Sequence, residues 1–223
     1  MVDHAQENMS LLQQLGEQTL GFGCLFHKLQ LLISHVVAKH KEIIQYVLKF
    51  TAHLRGSYYN LVEILAAVDK SPIKMSDTRW CCIVAVLRYY IDHMYEINAM
   101  LIRDKITLIN ADEVFIVKEL ILLLEPIETI VDSLLEMAYV PIAFYFPILT
   151  TIVAELKEIV VTKTIETKKA LLKELDINWN KTLKLAAALD PRFQCLFQGV
   201  NDFPINLVKA EMRHIGIYYL LRN

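Results

Sequence analysis

Cys24 and His27 stand three residues apart, and a thiolate and an imidazole at that spacing are side chains suited to holding zinc. A tetrahedral site needs two further ligands. Cys81 and Cys82 are adjacent, so on a helix they point in different directions, and no second Cys-x-x-Cys or His-x-x-x-His string follows. His35, His40, His53, His93 and His214 each stand alone in a helical pattern, where histidine serves as a core or surface residue. No metal site is expected. Asp3 reads by itself as a solvated terminal acid, since hard divalent cations need several clustered carboxylates. Trp80, in Ser76-Asp77-Thr78-Arg79-Trp80, reads by itself as a core aromatic at the start of an amphipathic helix. No Gly-rich phosphate loop, Gly-x-Ser-x-Gly elbow or His-Glu-x-x-His string is present, so phosphate-cofactor, hydrolase and zincin readings lack support.

Taken in order, three strings carry more than each does alone. They are Cys24-Leu25-Phe26-His27-Lys28-Leu29-Gln30-Leu31, then Ser76-Asp77-Thr78-Arg79-Trp80, then Leu185-Ala186-Ala187-Ala188-Leu189-Asp190-Pro191-Arg192-Phe193. In this order and spacing the chain resembles the hAT-superfamily transposases, particularly the domesticated zinc finger BED domain-containing proteins. The resemblance covers about residues 2 to 200. It implies a ribonuclease-H-like core in which three carboxylates hold two divalent metals, magnesium or manganese, interrupted by a helical insertion domain. Val2-Asp3-His4-Ala5-Gln6-Glu7-Asn8-Met9 looks like the segment around the second catalytic Asp, with Asp3 in that role and Glu7 as one extra residue.

The same resemblance puts the first Asp on strands preceding Met1 and the catalytic Glu beyond the last residue of this chain. One carboxylate of three cannot assemble a two-metal centre, so Asp3 is expected to be an inactive remnant, and the chain is expected to be no enzyme and to bind no cofactor. Cys24 and His27 are implied to support the geometry of the core. Trp80 is implied to stack on a base displaced from the duplex, with Arg79 near the phosphates; such stacking contributes about 1–3 kcal/mol. The implied organisation is a core remnant at 1–27, an all-α insertion domain at 28–200 and a C-terminal helix at 201–223. The implied function is a nuclear, non-catalytic role associated with DNA or chromatin proteins. The alternative is a helical protein-interaction module with no nucleic-acid role.

Composition sets the frame for these residues. A chain of 223 residues that is 55% hydrophobic can bury a substantial core, and six glycines and six prolines are few, so helices joined by short loops are expected: the fold class is mainly α. A net charge of -2 argues against the broad cationic surface that non-specific DNA binding needs. Cys24, Cys81, Cys82 and Cys195 form no even ladder of spacings, so no disulfide framework is expected. Met1-Val2-Asp3-His4 lacks the basic and apolar regions of a secretory signal. Residues 137–154 carry no charge over eighteen positions, but Pro141 and Pro147 interrupt them and Glu136 and Glu155 bound them, so a bent buried helix is expected there rather than a membrane span.

The elements that must position these residues follow from periodicity. A short helix is expected at 5–15 and a strand around 20–25. Apolar residues at a 3.6-residue period predict one helix over 29–48, and residues 58–68 repeat the pattern with one buried face. Ser76 or Asp77 can cap a helix running from Thr78 to about Arg103. Further helices are expected at 112–138, 141–161, 165–175 and 178–189, the last stopped by Pro191, and an amphipathic stretch at 207–221.

Overall fold

Helices account for 85% of the described residues and strands for none, so the chain is mainly α. The structure, a computed structural model, describes residues 25–73, 82–135, 142–175 and 181–190. Asp3, Cys24, Arg79, Trp80, the helices expected at 5–15 and 207–221 and most of the strand expected at 20–25 lie outside those residues. So does Pro191. Leu25, the last position of that expected strand, instead opens a helix.

The described residues fall into two compact units, 25–73 with 82–135 and 152–175 in the first, and 142–151 with 181–190 in the second. The first unit contains α1 (Leu25–Lys39), α2 (Lys41–Gly56), α3 (Tyr58–Val68), α4 (Cys82–Asp92), α5 (Met94–Arg103) and α6 (Ala111–Leu135). It also contains the second half of α7 (Tyr145–Glu158) and all of α8 (Ile165–Leu175). α4 packs on α6 and α2, α1 packs on α6 and α8, and α3 packs between α2 and α5. Their apolar faces meet in one core that includes Leu29, Ile44, Leu54, Leu87, Leu101, Leu120 and Leu124, all almost wholly buried. Burying such a side chain contributes about 1.5–3 kcal/mol, which is what holds helices of 10 to 25 residues together. The second unit contains a 3₁₀ turn (Ile142–Phe144), the first half of α7 and α9 (Lys181–Leu189), with α9 packed on the turn. No helix among the described residues is long and apolar enough to cross a membrane.

Two expected helices are each two. The helix expected over 29–48 breaks at His40, and the one expected from 78 to 103 breaks at His93. Both histidines take nearly the same non-helical backbone, φ -111°, ψ 29° and φ -116°, ψ 25°. One bond flanks each break on either side, His40 N–H to Val36 O and Ile44 N–H to His40 O at the first, His93 N–H to Tyr89 O and Ile97 N–H to His93 O at the second, and the histidine between them is a turn residue. The chain turns through the non-helical ψ of one histidine with no glycine or proline beside it, and the apolar period runs on across the turn, so periodicity does not reveal the bend. α1 also runs unbroken across residues 27 and 28, where the sequence reading set a domain boundary.

Helix ends are fixed by identifiable groups. Asn110 and Glu113 form a reciprocal box at the start of α6: Asn110 Oδ1 accepts from Glu113 N–H at 2.9 Å, and Glu113 Oε2 from Asn110 N–H at 2.7 Å. Pro126 lies inside α6 and removes one ladder bond, that to Leu122 O; Leu122 is on the exposed side. α5 ends in a left-handed residue, Lys105 (φ 58°), with Lys105 N–H donating to Ile102 O and Ile106 N–H to Leu101 O. That paired arrangement is a Schellman cap.

Candidate functional site

α3 is the least buried of the apolar helices. Its sequence, Tyr-Tyr-Asn-Leu-Val-Glu-Ile-Leu-Ala-Ala-Val, is expected to bury one face, yet only Asn60 and Ile64 are buried. Tyr58 is 85% exposed and Tyr59 67%, with Val62, Leu65, Ala66 and Ala67 exposed beyond them. Tyr58, Val62, Leu65 and Ala66 recur at the spacing of a single helical stripe. α5, packed beside α3, exposes Tyr95 (84%), Ala99 and Ile102 (63%) at the same spacing. Isolated exposed apolar residues are ordinary; two stripes on adjacent helices are not.

A polar network fixes the two helices side by side. The Schellman turn at the end of α5 brings Asp104 next to the α2–α3 corner, where its carboxylate meets three donors. His53 Nε2 lies 2.7 Å from Asp104 Oδ2, Asn60 Nδ2 donates to the same oxygen at 3.2 Å, and Arg103 Nε donates to Oδ1 at 2.9 Å. Because a carboxylate only accepts, the His53 hydrogen is on Nε2. Arg103, then His53 and Asn60, hold the Asp104 carboxyl far below the usual carboxylate range. Arg103 also donates from Nη2 to Asn60 Oδ1 at 2.7 Å and from Nη1 to Glu63, and its guanidinium carbon lies 5.2 Å from the Tyr59 ring centroid. Asn60 is 4% exposed with its amide satisfied on both sides, which explains a polar residue at a buried position of α3. The cluster contains a His–carboxylate pair, and its hydrogen bonds tie His53 of α2, Asn60 of α3 and the end of α5 together, so it positions these helices.

Elsewhere in the first unit, a cleft of about 330 Å³ runs between α2 and α4, lined by Leu48, Thr51, Ala52, Arg55, Gly56, Ile73 and Val86. Its described lining is mostly apolar, and Arg55 there donates from Nη1 to Pro72 O at 2.7 Å. Deeper in the fold Glu119, in the middle of α6, accepts at 2.8–2.9 Å from Thr164 N–H, Lys163 N–H and the hydroxyls of Thr162 and Thr164, and also from Thr162 N–H. It thereby anchors the turn that leads into α8. Lys168 Nζ donates to Lys157 O and Ile159 O at the end of α7 in the same unit.

Of the residues singled out in the sequence, His27 is in the first turn of α1, partly buried. Cys24, Asp3, Arg79 and Trp80 are outside the described residues, so their expected roles have no geometry attached. Among the described residues no three His, Cys, Asp or Glu side chains gather as metal ligands would. The α3–α5 face was not singled out by sequence reasoning. The signal was present: Tyr58 and Tyr59 follow a helix-capping Ser57 and open a helix without a single basic residue.

No family model, no curated protein and no solved structure matches this chain. The fold and the site therefore define a class only: a mainly α protein with an aromatic, internally charge-balanced face.

Proposed function

We propose that this chain is the helical body of a hAT-transposase-like polypeptide that works by binding rather than by catalysis, through the face carried by α3 and α5. The observation that carries this reading is the exposure of Tyr58, of Tyr59 with Arg103 over its ring, and of Tyr95 on the adjacent helix, residue types over-represented at the energetic centres of protein interfaces. The kinship rests on Cys24-x-x-His27, Thr78-Arg79-Trp80 and Leu189-Asp190-Pro191-Arg192-Phe193, and the mainly helical fold is in keeping with an insertion domain of that family. The nuclear setting among DNA and chromatin proteins is the one this kinship implies.

A protein partner is favoured over direct phosphate contact because Arg103, the cation over the Tyr59 ring of the face, and two cations elsewhere in the first unit are already engaged. Arg103 pairs with Asp104 and Glu63, Arg88 with Glu125 and Glu128, and Lys168 with helix carbonyls. Neutralising phosphates requires cations free to displace counterions. The test is fluorescence anisotropy with duplex and branched DNA over a range of salt, with magnesium or manganese added to follow cutting and joining. The expected outcome is no cleavage, no strand transfer and no affinity above non-specific background. Strand transfer lost in Asp3→Ala, or binding with a steep salt dependence, refutes the reading.

A further inference from the structure

We propose that the exposed stripe of α3 is a self-association site, on which a second copy of this chain lays its own α3 antiparallel about a two-fold axis at Val62. The proposal rests on reading the α3–α5 face as a binding surface and names its occupant. Two complementarities on α3 select that occupant.

The first is size. The stripe is bulky at its N-terminal end, Tyr58 and Tyr59, and small at its C-terminal end, Ala66 and Ala67, with all four exposed. Parallel copies would set ring against ring at one end and leave a gap between alanines at the other. Antiparallel copies in register about Val62 set Tyr58 against Ala66 of the second copy, Tyr59 against its Leu65, and Val62 against Val62. Large against small at facing positions is how packed helices reach interior density.

The second is charge. α3 has no acid in its first turn and no base in its last, so both ends of its dipole are uncompensated by its own side chains. Asp69, exposed in a left-handed C-cap (φ 51°), stands at the end where a negative charge is least favourable. An antiparallel copy carries that carboxylate toward the other helix's N-terminus, where it is favourable. Glu63 and Arg103, beside the axis, neutralise each other within one chain, so this pair does not repel its copy on a like surface. α3 is only about 16 Å long and falls short of the roughly 800 Å² per partner of a standard interface. The dimer is accordingly weak and reversible.

Sedimentation velocity of the full chain over a wide concentration range reads this directly, and a concentration-dependent monomer–dimer equilibrium is expected. Val62→Asp sets like charges on the axis and raises the dimer dissociation constant roughly a hundredfold, with circular dichroism and thermal midpoint unchanged because the position is exposed. Val62→Cys, oxidised with diamide, cross-links to a dimer faster than the parent chain and faster than Tyr46→Cys, an exposed position on α2. A dimer that Val62→Asp leaves intact, or cross-linking no faster at position 62 than at 46, overturns the proposal. So does a monomer at every concentration, and maleimide then separates the two levels of inference. Rapid reaction of monomeric Val62→Cys removes the second copy as occupant and leaves the binding face standing; slow reaction shows that the chain covers its own α3 and removes both.

Discussion

Glu119 is the residue whose removal should cost most relative to its size. It is 4% exposed, and its two oxygens accept from three backbone N–H groups and two threonine hydroxyls at the turn into α8. Not all five donors suffer equally in Glu119→Ala. Thr162 and Lys163 are exposed, so their N–H groups and the Thr162 hydroxyl turn to water. Thr164 is 1% exposed, and its N–H and hydroxyl have no such recourse. A hydrogen bond to a charged group contributes about 1.5–3 kcal/mol, so the two Thr164 bonds set an expected loss of about 3–5 kcal/mol. Thr164→Val keeps the volume, removes one donor and should cost about 1 kcal/mol; the double variant should cost less than the sum.

The pH dependence has a definite sign. Burial pushes the Glu119 carboxyl up, but the donors from Thr162 and Thr164 outweigh it and hold the group below its ordinary value of 4.5. A carboxyl depressed by folding stabilises above the unfolded value, and that stability is lost as pH falls below about 4.5 through the folded one. Urea unfolding followed by circular dichroism should therefore show the gap between parent and Glu119→Gln narrowing as pH drops, at constant denaturant slope. A loss under about 1 kcal/mol in Glu119→Ala at neutral pH, or a Glu119→Gln gap that does not shrink in acid, refutes the anchoring argument.

Arg88→Met leaves Glu128, 8% exposed and already pushed up by burial, without its cation at 3.1 Å; we expect a loss of roughly 2–3 kcal/mol at neutral pH that recovers in acid as the carboxyl protonates, checked by unfolding at two pH values. Lys105→Gly should stabilise by about 0.5–1 kcal/mol, because φ 58° strains any residue with a Cβ, and an unchanged or lower thermal midpoint would contradict the cap assignment. Burial, with help from Lys39, lowers the His40 pKa; since folding then favours the neutral ring, stability should fall as pH drops below 6.5, and His40→Gln, which can still bond Thr167 Oγ1, should flatten that portion of the curve.

The sequence by itself determined the mainly α class and several element positions. The expected helices at 58–68 and 165–175 coincide with α3 and α8, and the expected 112–138 helix matches α6 through Leu135. These are local outcomes: apolar residues at a 3.6 period and capping groups such as Ser57 act within one or two turns of chain. The bends at His40 and His93 were not legible, because the apolar period runs on across both and no glycine or proline marks them. Nor was the exposure of the α3 face, although its aromatic, base-free sequence was in view. Periodicity says that a stripe is apolar, and whether it is buried depends on what the chain brings beside it. Here α2 and α5 cover the Asn60–Ile64 side and leave Tyr58, Val62 and Leu65 outside. The network around Asp104 joins residues 53, 60, 63, 103 and 104, and Glu119 reaches a turn 43 to 45 positions away. Such pairings arise only when helices pack, so tertiary structure alone decided which polar groups meet and which apolar surface remained open.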